Sequence, residues 1–295
     1  MKTFFKVCII FLCLSSIVYS QYSRGKVLEG KIIESKILGE EVRYTVYLPF
    51  DYDTSERYYP VVYLLHGLGD NDMGWIQFGE ANILCDKAIA ESEIPPMILV
   101  MPDARRSWYI NNYAGSVKYE DFFIQEFIPF IESEYRIRNE KRYRGVAGLS
   151  MGGYGALIYS LKYPDMFAAC AAFSAGISTR ERIIEMELEQ WNMVYGPIYG
   201  ENLAGNERLT EHLLNNDVLE IVKNIDTGKM NFPRFYIDCG DDDFLIEGNM
   251  QLHSLLLEKE IDHEFRVRDG RHQWSYWRSG LIEGLKYIGT SFHQP

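Results

Sequence analysis

The chain has 295 residues, 47% of them hydrophobic and 14% aromatic, enough to bury one sizeable core or at most two small ones. Its formal net charge of -12 becomes -14, with 28 basic against 42 acidic residues, once Lys2 and Lys6 are removed with the leader described below. That balance argues against nucleic acid and anionic membrane as partners on electrostatic grounds and favours a neutral or locally matched substrate.

The first residues, "MKTFFKVCIIFLCLSSIVYSQ", place Lys2 and Lys6 ahead of an apolar run from Val7 to Val18, followed by Tyr19 and the small residue Ser20. This is the pattern of a secretory signal peptide over residues 1–20. The run is short for a membrane span, and Cys8 and Cys13 lack the small preceding residue of a lipid-attachment site. An exported protein, secreted or periplasmic, with no membrane association after cleavage is therefore expected, and an uncleaved anchor is the lesser alternative. Cys85, Cys170 and Cys239 remain, and two of them sit in apolar runs. They read as small core residues, leaving at most one disulfide open.

Residues 31–49, "KIIESKILGEEVRYTVYLP", alternate about Gly39-Glu40 and predict an antiparallel hairpin. Short continuous apolar runs follow at 61–65, 97–101, 145–147, 168–173 and 235–239, as expected of strands covered on both faces. Between them, helical spacing covers 81–91, 119–135, 154–163, 249–260 and 276–288. The alternation predicts a doubly wound, mainly parallel α/β sheet with the hairpin at one edge. Residues 21–295 read as one domain, with 176–230, polar and helix-prone, as an insertion over the sheet.

In "RGVAGLSMGGYGAL", Ser150 lies between Gly148 and Gly152, after a strand-like run and before a helix-like one. A serine becomes nucleophilic when its hydroxyl projects where a base can reach it and where oxyanion donors wait. A strained strand-to-helix turn does this, provided the residues two positions either side are small. The amide of Met151, at the helix start, would then face the oxyanion. A glycine turn serving only packing is the plainer alternative.

Such a turn predicts an acid and then a histidine, each following a late strand. Asp241, Asp242 and Asp243 follow "FYIDCG", and His272 follows "HEFRVRDGR". A solvated turn is the alternative for the aspartates. His263 competes with His272 but begins its strand and would lie at the opposite edge of the sheet. His66, His212, His253 and His293 have no matching loop position. "LLHGLGD" is a glycine loop after an early strand, and Leu68 is the candidate second oxyanion amide, whatever its side chain. Trp108 and Trp274 are candidate substrate-binding residues, with Tyr109 and Trp277 nearby; core packing is the alternative, favoured for Trp277. Arg105 and Arg106 could meet a carboxylate or simply solvate a loop. The aspartates lack calcium-loop spacing and the histidines zinc spacing, so no metal or cofactor is expected.

The segments "YLLHGLGDNDMGW", "MILVMPDARRSWY", "GVAGLSMGGYGAL", "YPDMFAACAAFS", "DCGDDDFL" and "GRHQWSYW" together resemble the esterase D-like branch of α/β-hydrolases. That branch includes feruloyl and acetyl-xylan esterases of carbohydrate esterase family 1, S-formylglutathione hydrolases and mycolyltransferases. The resemblance spans about 44–288. It implies the α/β-hydrolase fold, Ser150 as nucleophile, His272 as base, Asp243 before Phe244-Leu245 as orienting acid, and Leu68 and Met151 as oxyanion amides, with Asp242 one residue away as the competing register. The leader sets aside the cytosolic glutathione pool, and no extended apolar groove for long acyl chains is visible. A carbohydrate esterase acting on acylated poly- or oligosaccharides is the expected function, with a thioesterase or acyltransferase using the same triad as the alternative, and a non-catalytic binding protein a more distant one. The acyl group and the oligomeric state are not fixed by the sequence.

Overall fold

The computed structural model describes residues 23–226, 228 and 231–292, so the expected signal peptide lies outside the described residues. Strands β1 (Lys26–Ser35) and β2 (Glu40–Leu48) form the antiparallel hairpin. Its turn closes at Gly39, φ 71°, and a register shift between Leu28 and Lys31 falls at Gly30, φ 62°, both left-handed positions suited to glycine.

The remaining strands are β3 (Val61–Leu65), β4 (Ile98–Pro102), β5 (Arg144–Leu149), β6 (Ala169–Phe173), β7 (Arg234–Gly240) and β8 (His263–Arg268). Among the described residues they make one sheet, ordered β1-β2-β4-β3-β5-β6-β7-β8 and parallel from β4 to β8. This is the α/β-hydrolase architecture expected, with antiparallel strands at the N-terminal edge.

The continuous apolar runs are explained by side-chain alternation into two cores. Val61, Tyr63 and Leu65 of β3 enter one, Val62 and Leu64 the other. The second core is closed by α2 (Ala81–Ala90), which follows the single turn α1 (Gly74–Gln77), and later by the C-terminal helix. The first is closed by α3 (Tyr119–Phe122) and α4 (Ile128–Glu134), joined through a π-helical turn at Phe123–Phe127, and by α5 (Met151–Lys162).

Between β6 and β7 lie α6 (Arg180–Glu185), α7 (Leu188–Val194), α8 (Gly196–Tyr199), α9 (Glu211–Leu214) and α10 (Val218–Asn224), with α10 packed on α5. Then come α11 (Ile246–Glu258) and α12 (Trp274–Ser291). α5, α11 and α12 each start two or three residues earlier than their periodicity suggests. At α5 the reason is tertiary contact overriding the poor helix propensity of Gly152 and Gly153. Cys85, Cys170 and Cys239 are buried free thiols, so the disulfide left open by the sequence is not formed.

Candidate active site

Because β3 and β5 to β8 are parallel, their C-terminal ends deliver Gly67, Ser150, Ser174, Asp243 and His272 to the same edge of the sheet. Ser150 occupies the turn from β5 to α5 with φ 54° and ψ -118°, a costly conformation for a residue with a side chain. The surroundings hold it there. The Ser150 N–H donates to Phe173 O at 2.9 Å, and its carbonyl accepts from Gly176 N–H at 2.8 Å and Tyr154 N–H at 3.0 Å. A Cβ on Gly148 would collide with the carbonyl of Gly152, and one on Gly152 would lie 2.6 Å from His66 O. The glycine spacing is thus a requirement of close backbone approach.

The structure brings Ser150, His272 and Asp243 into line. Ser150 Oγ lies 2.9 Å from His272 Nε2, and His272 Nδ1 lies 2.9 and 3.1 Å from the two carboxylate oxygens of Asp243. A carboxylate facing Nδ1 assigns the proton there, leaving Nε2 to accept from the serine hydroxyl. Asp243 is 2% exposed and also accepts from Leu245 N–H at 2.9 Å. Burial opposes its charge, but the bonds from His272 and Leu245 outweigh that penalty and hold its carboxyl below the usual range. The Asp242 carboxylate is exposed and reaches Arg271 at 3.5 Å, while Asp241 Oδ1 accepts from Gly270 N–H at 3.0 Å and ties the two loops together. Geometry therefore favours Asp243 over its neighbours.

Gly67 to Asp70 form a turn, with Asp70 N–H on Gly67 O at 3.2 Å and Gly69 at φ 88°. A Cβ on Gly67 would sit 2.6 Å from Leu149 Cδ1 and 3.5 Å from Ser150 Cβ, so the Leu68 peptide runs directly beside the serine. Met151 is the first residue of α5, where the N–H has no intrahelical partner.

The aromatic candidates divide. Trp108 is no open platform: it is 4% exposed, its Nε1–H donates to Val194 O at 3.1 Å, and its ring packs on Tyr154 and Tyr195. With Ile177, Trp191, Asp217 and Val218 it walls a cavity built mostly from the 176–230 segment. Trp274 is half-buried, edge-on to Trp75 at 5.3 Å and to Trp277 at 5.4 Å. Trp277 is buried and stands edge-on to His272 at 4.8 Å. Tyr109 is fully buried, its hydroxyl on His66 O. Arg105 pairs with Glu40 at 3.0 Å, and Arg106 donates to Met193 O at 2.6 Å.

His263, at the start of β8, lies at the far end of its strand from His272 and bonds His253 at 2.7 Å. His212 is half-buried beside Tyr199, and His293 lies outside the described residues. Sequence reasoning passed over Asp238, fully buried near the end of β7, which Arg268 grips at 2.9 and 3.0 Å and to which Tyr276 and Tyr236 donate. Its signal was present: one carboxylate in an apolar strand and one arginine in the next. The network joins β7 and β8 to the start of α12, just below the loops that hold Asp243 and His272.

The family model described as Esterase matches residues 35–288 of this chain. The chain belongs to this esterase family. An acetyl esterase from Caldicellulosiruptor saccharolyticus is 29% identical over 252 residues, covering 82% of this chain and 85% of that one. A solved ferulic acid esterase is 32% identical with a TM-score of 0.78, covering 91% of this chain and 99% of that one. An S-formylglutathione hydrolase from Staphylococcus aureus shares the fold, with a TM-score of 0.71 at 22% identity over 90% of this chain and 98% of that one. This esterase is a carboxylic-ester hydrolase resembling carbohydrate esterase family 1.

Proposed function

We propose that the protein is an exported serine esterase that removes acetyl or feruloyl-type acyl groups from carbohydrates through an acyl-enzyme. The observation that carries this reading is the line from Ser150 Oγ through His272 to buried Asp243. Ser150 Oγ attacks the ester carbonyl while its proton passes to His272 Nε2, and Asp243 stabilises the imidazolium. The oxyanion takes hydrogen bonds from the Leu68 and Met151 amides. Its collapse expels the sugar oxygen, which takes the proton from His272 and departs as the hydroxyl. Water then attacks the acyl-serine, giving up a proton to His272, which returns it to Ser150 as the acid departs.

The carbohydrate assignment is supported by the names of the acetyl esterase and ferulic acid esterase relatives. Export is supported by the sequence of residues 1–20. No helix among the described residues is long and apolar enough to cross a membrane.

Ser150→Ala should abolish ester turnover while leaving the melting temperature close to wild type, because only the attacking oxygen is lost. Wild-type turnover in that variant would end the mechanism. Catalytic efficiencies on acetylated xylo-oligomers, feruloylated oligomers, S-formylglutathione and a long-chain lipid ester test the substrate. Preference for the thioester or lipid would reject the carbohydrate reading and leave the triad standing.

A further inference from the structure

Phe244 stands between two buried residues, Asp243 and Leu245, yet is itself 57% exposed. A single exposed phenylalanine is ordinary on a protein surface. This one is distinguished by what surrounds it. Its ring lies 4.6 Å from that of His272, tilted by 50°. From the 176–230 insertion, Arg182 of α6 donates a guanidinium N–H to the Phe244 carbonyl and sets its guanidinium carbon 5.2 Å from the centre of the same ring. Backbone and side chain of Phe244 are thus both held before any ligand arrives, and an aromatic surface ordered in advance binds with little further loss of freedom.

The chemistry decides which part of an ester meets that ring. Ser150 Oγ takes the acyl carbon and the Leu68 and Met151 amides take its carbonyl oxygen, so the departing alcohol oxygen must come within hydrogen-bond reach of His272 Nε2 to collect its proton. The alcohol part therefore lies along His272. Two aromatic rings flank that histidine, Trp277 at 4.8 Å and Phe244 at 4.6 Å. Trp277 is buried and packed edge-on to Trp274 at 5.4 Å, so of the two it is Phe244 that offers surface to a group arriving from solvent. A pyranose matches such a surface. The C–H hydrogens on one face of the sugar carry partial positive charge and suit the negative face of an aromatic ring, while its hydroxyls project at the rim, where the Arg182 guanidinium has further donors.

We propose that Phe244, steadied by Arg182, is the platform for the sugar ring that carries the ester oxygen, and that it selects carbohydrate esters over esters of small alcohols; this rests on the carbohydrate-ester reading above. The acyl group and the triad are common to both kinds of ester, so the ring acts on selectivity through the alcohol alone.

The test compares kcat/KM on acetylated xylobiose and on ethyl acetate, with the feruloyl pair beside them, for wild type, Phe244→Ala, Phe244→Trp and Arg182→Gln. Two esters of one acid form the same acyl-enzyme, and kcat/KM covers the steps up to it, so the ratio of the two values isolates the alcohol. Phe244→Ala should lower the sugar-to-ethyl ratio about three- to tenfold, mainly through a raised KM for the sugar ester. Phe244→Trp, with a larger ring, should keep or raise the ratio, and Arg182→Gln should lower it by less than Phe244→Ala. Equal losses on both esters would overturn the proposal, because the ring would then act by holding His272 and not by meeting the sugar. An unchanged ratio in Phe244→Ala would overturn it as well. If the wild type hydrolyses the ethyl esters and not the sugar esters, the carbohydrate reading itself fails and the platform with it. A wild type active on sugar esters whose ratio survives Phe244→Ala rejects the platform alone, so the two failures are distinguishable.

Discussion

The backbone N–H of Ala104 donates to Nε2 of His66 at 2.9 Å, which leaves Nδ1 of that buried ring to donate to the carbonyl of Gly67 at 2.8 Å. In a trans peptide the N–H points opposite to the C=O. Holding Gly67 O inward therefore turns the Leu68 N–H outward, beside Ser150. On the proposed oxyanion role of the Leu68 amide, His66 is the residue that aims it. His66→Phe should keep the ring volume, lower kcat about ten- to a hundredfold, less than the full loss of an oxyanion donor, and leave KM nearly unchanged. Steady-state kinetics on the folded protein check this. A rise in KM at constant kcat would place Leu68 in substrate binding instead.

Asp243→Asn should lower kcat by about 10⁴-fold, because an amide cannot both accept from Nδ1–H and stabilise the imidazolium. Asp242→Asn should stay within about twofold of wild type, its one ion pair being exposed and 3.5 Å long. If Asp242 proved the sensitive position, the loop register deduced from the contacts to His272 would be off by one.

The fold was legible because burial on both faces leaves no polar residue in strands such as "VVYLL", and the serine turn because only glycine fits where backbone meets backbone at Gly148 and Gly152. His272 could be picked from six histidines because strand direction alone decides which end of β8 reaches the site. The buried contacts of Ser174 and His66 were not legible, because they depend on hydrogen bonds across 103 and 38 residues, which no local pattern records. The burial of Trp108 was not legible for a related reason: whether a tryptophan after a strand is exposed depends on what the 176–230 segment lays over it, and here Val194 and Tyr195 cover it. The π-helical turn in the 119–135 helix left no sequence mark.

Gly152→Ala should destabilise the protein by about 1–3 kcal/mol and abolish activity, since the added methyl meets the carbonyls of Leu65 and His66 and pushes the Leu68 loop from Ser150. Gly39→Ala is the matched control. Its φ is 71° but nothing lies within 4 Å of the added carbon, so only the backbone penalty of about 1–2 kcal/mol applies and kcat should stay at the wild-type value. Thermal unfolding and kinetics on both variants separate steric from conformational cost. Equal activity in the two would show that the tight contact at Gly152 does not position the oxyanion loop.

The last prediction separates two acid transitions that a single activity profile would merge. Asp243 is held below the usual carboxylate range despite its burial, so its folded-state pKa lies beneath the unfolded one. The stability this gives is complete above the unfolded value of about 3.9 and is lost as pH falls through the lower folded value. Turnover depends on a different proton: His272 must be neutral to accept from Ser150, so kcat/KM should rise along a single acid limb as the ring gives up its proton. Melting temperature across pH for wild type and Asp243→Asn isolates the carboxylate. The difference between them should be constant near neutrality and shrink only in strongly acidic buffer, where the wild-type carboxyl is itself neutral. If that difference collapsed together with kcat/KM in the histidine range, acid loss of activity would come from disruption of the Asp243 contacts and not from protonation of the base.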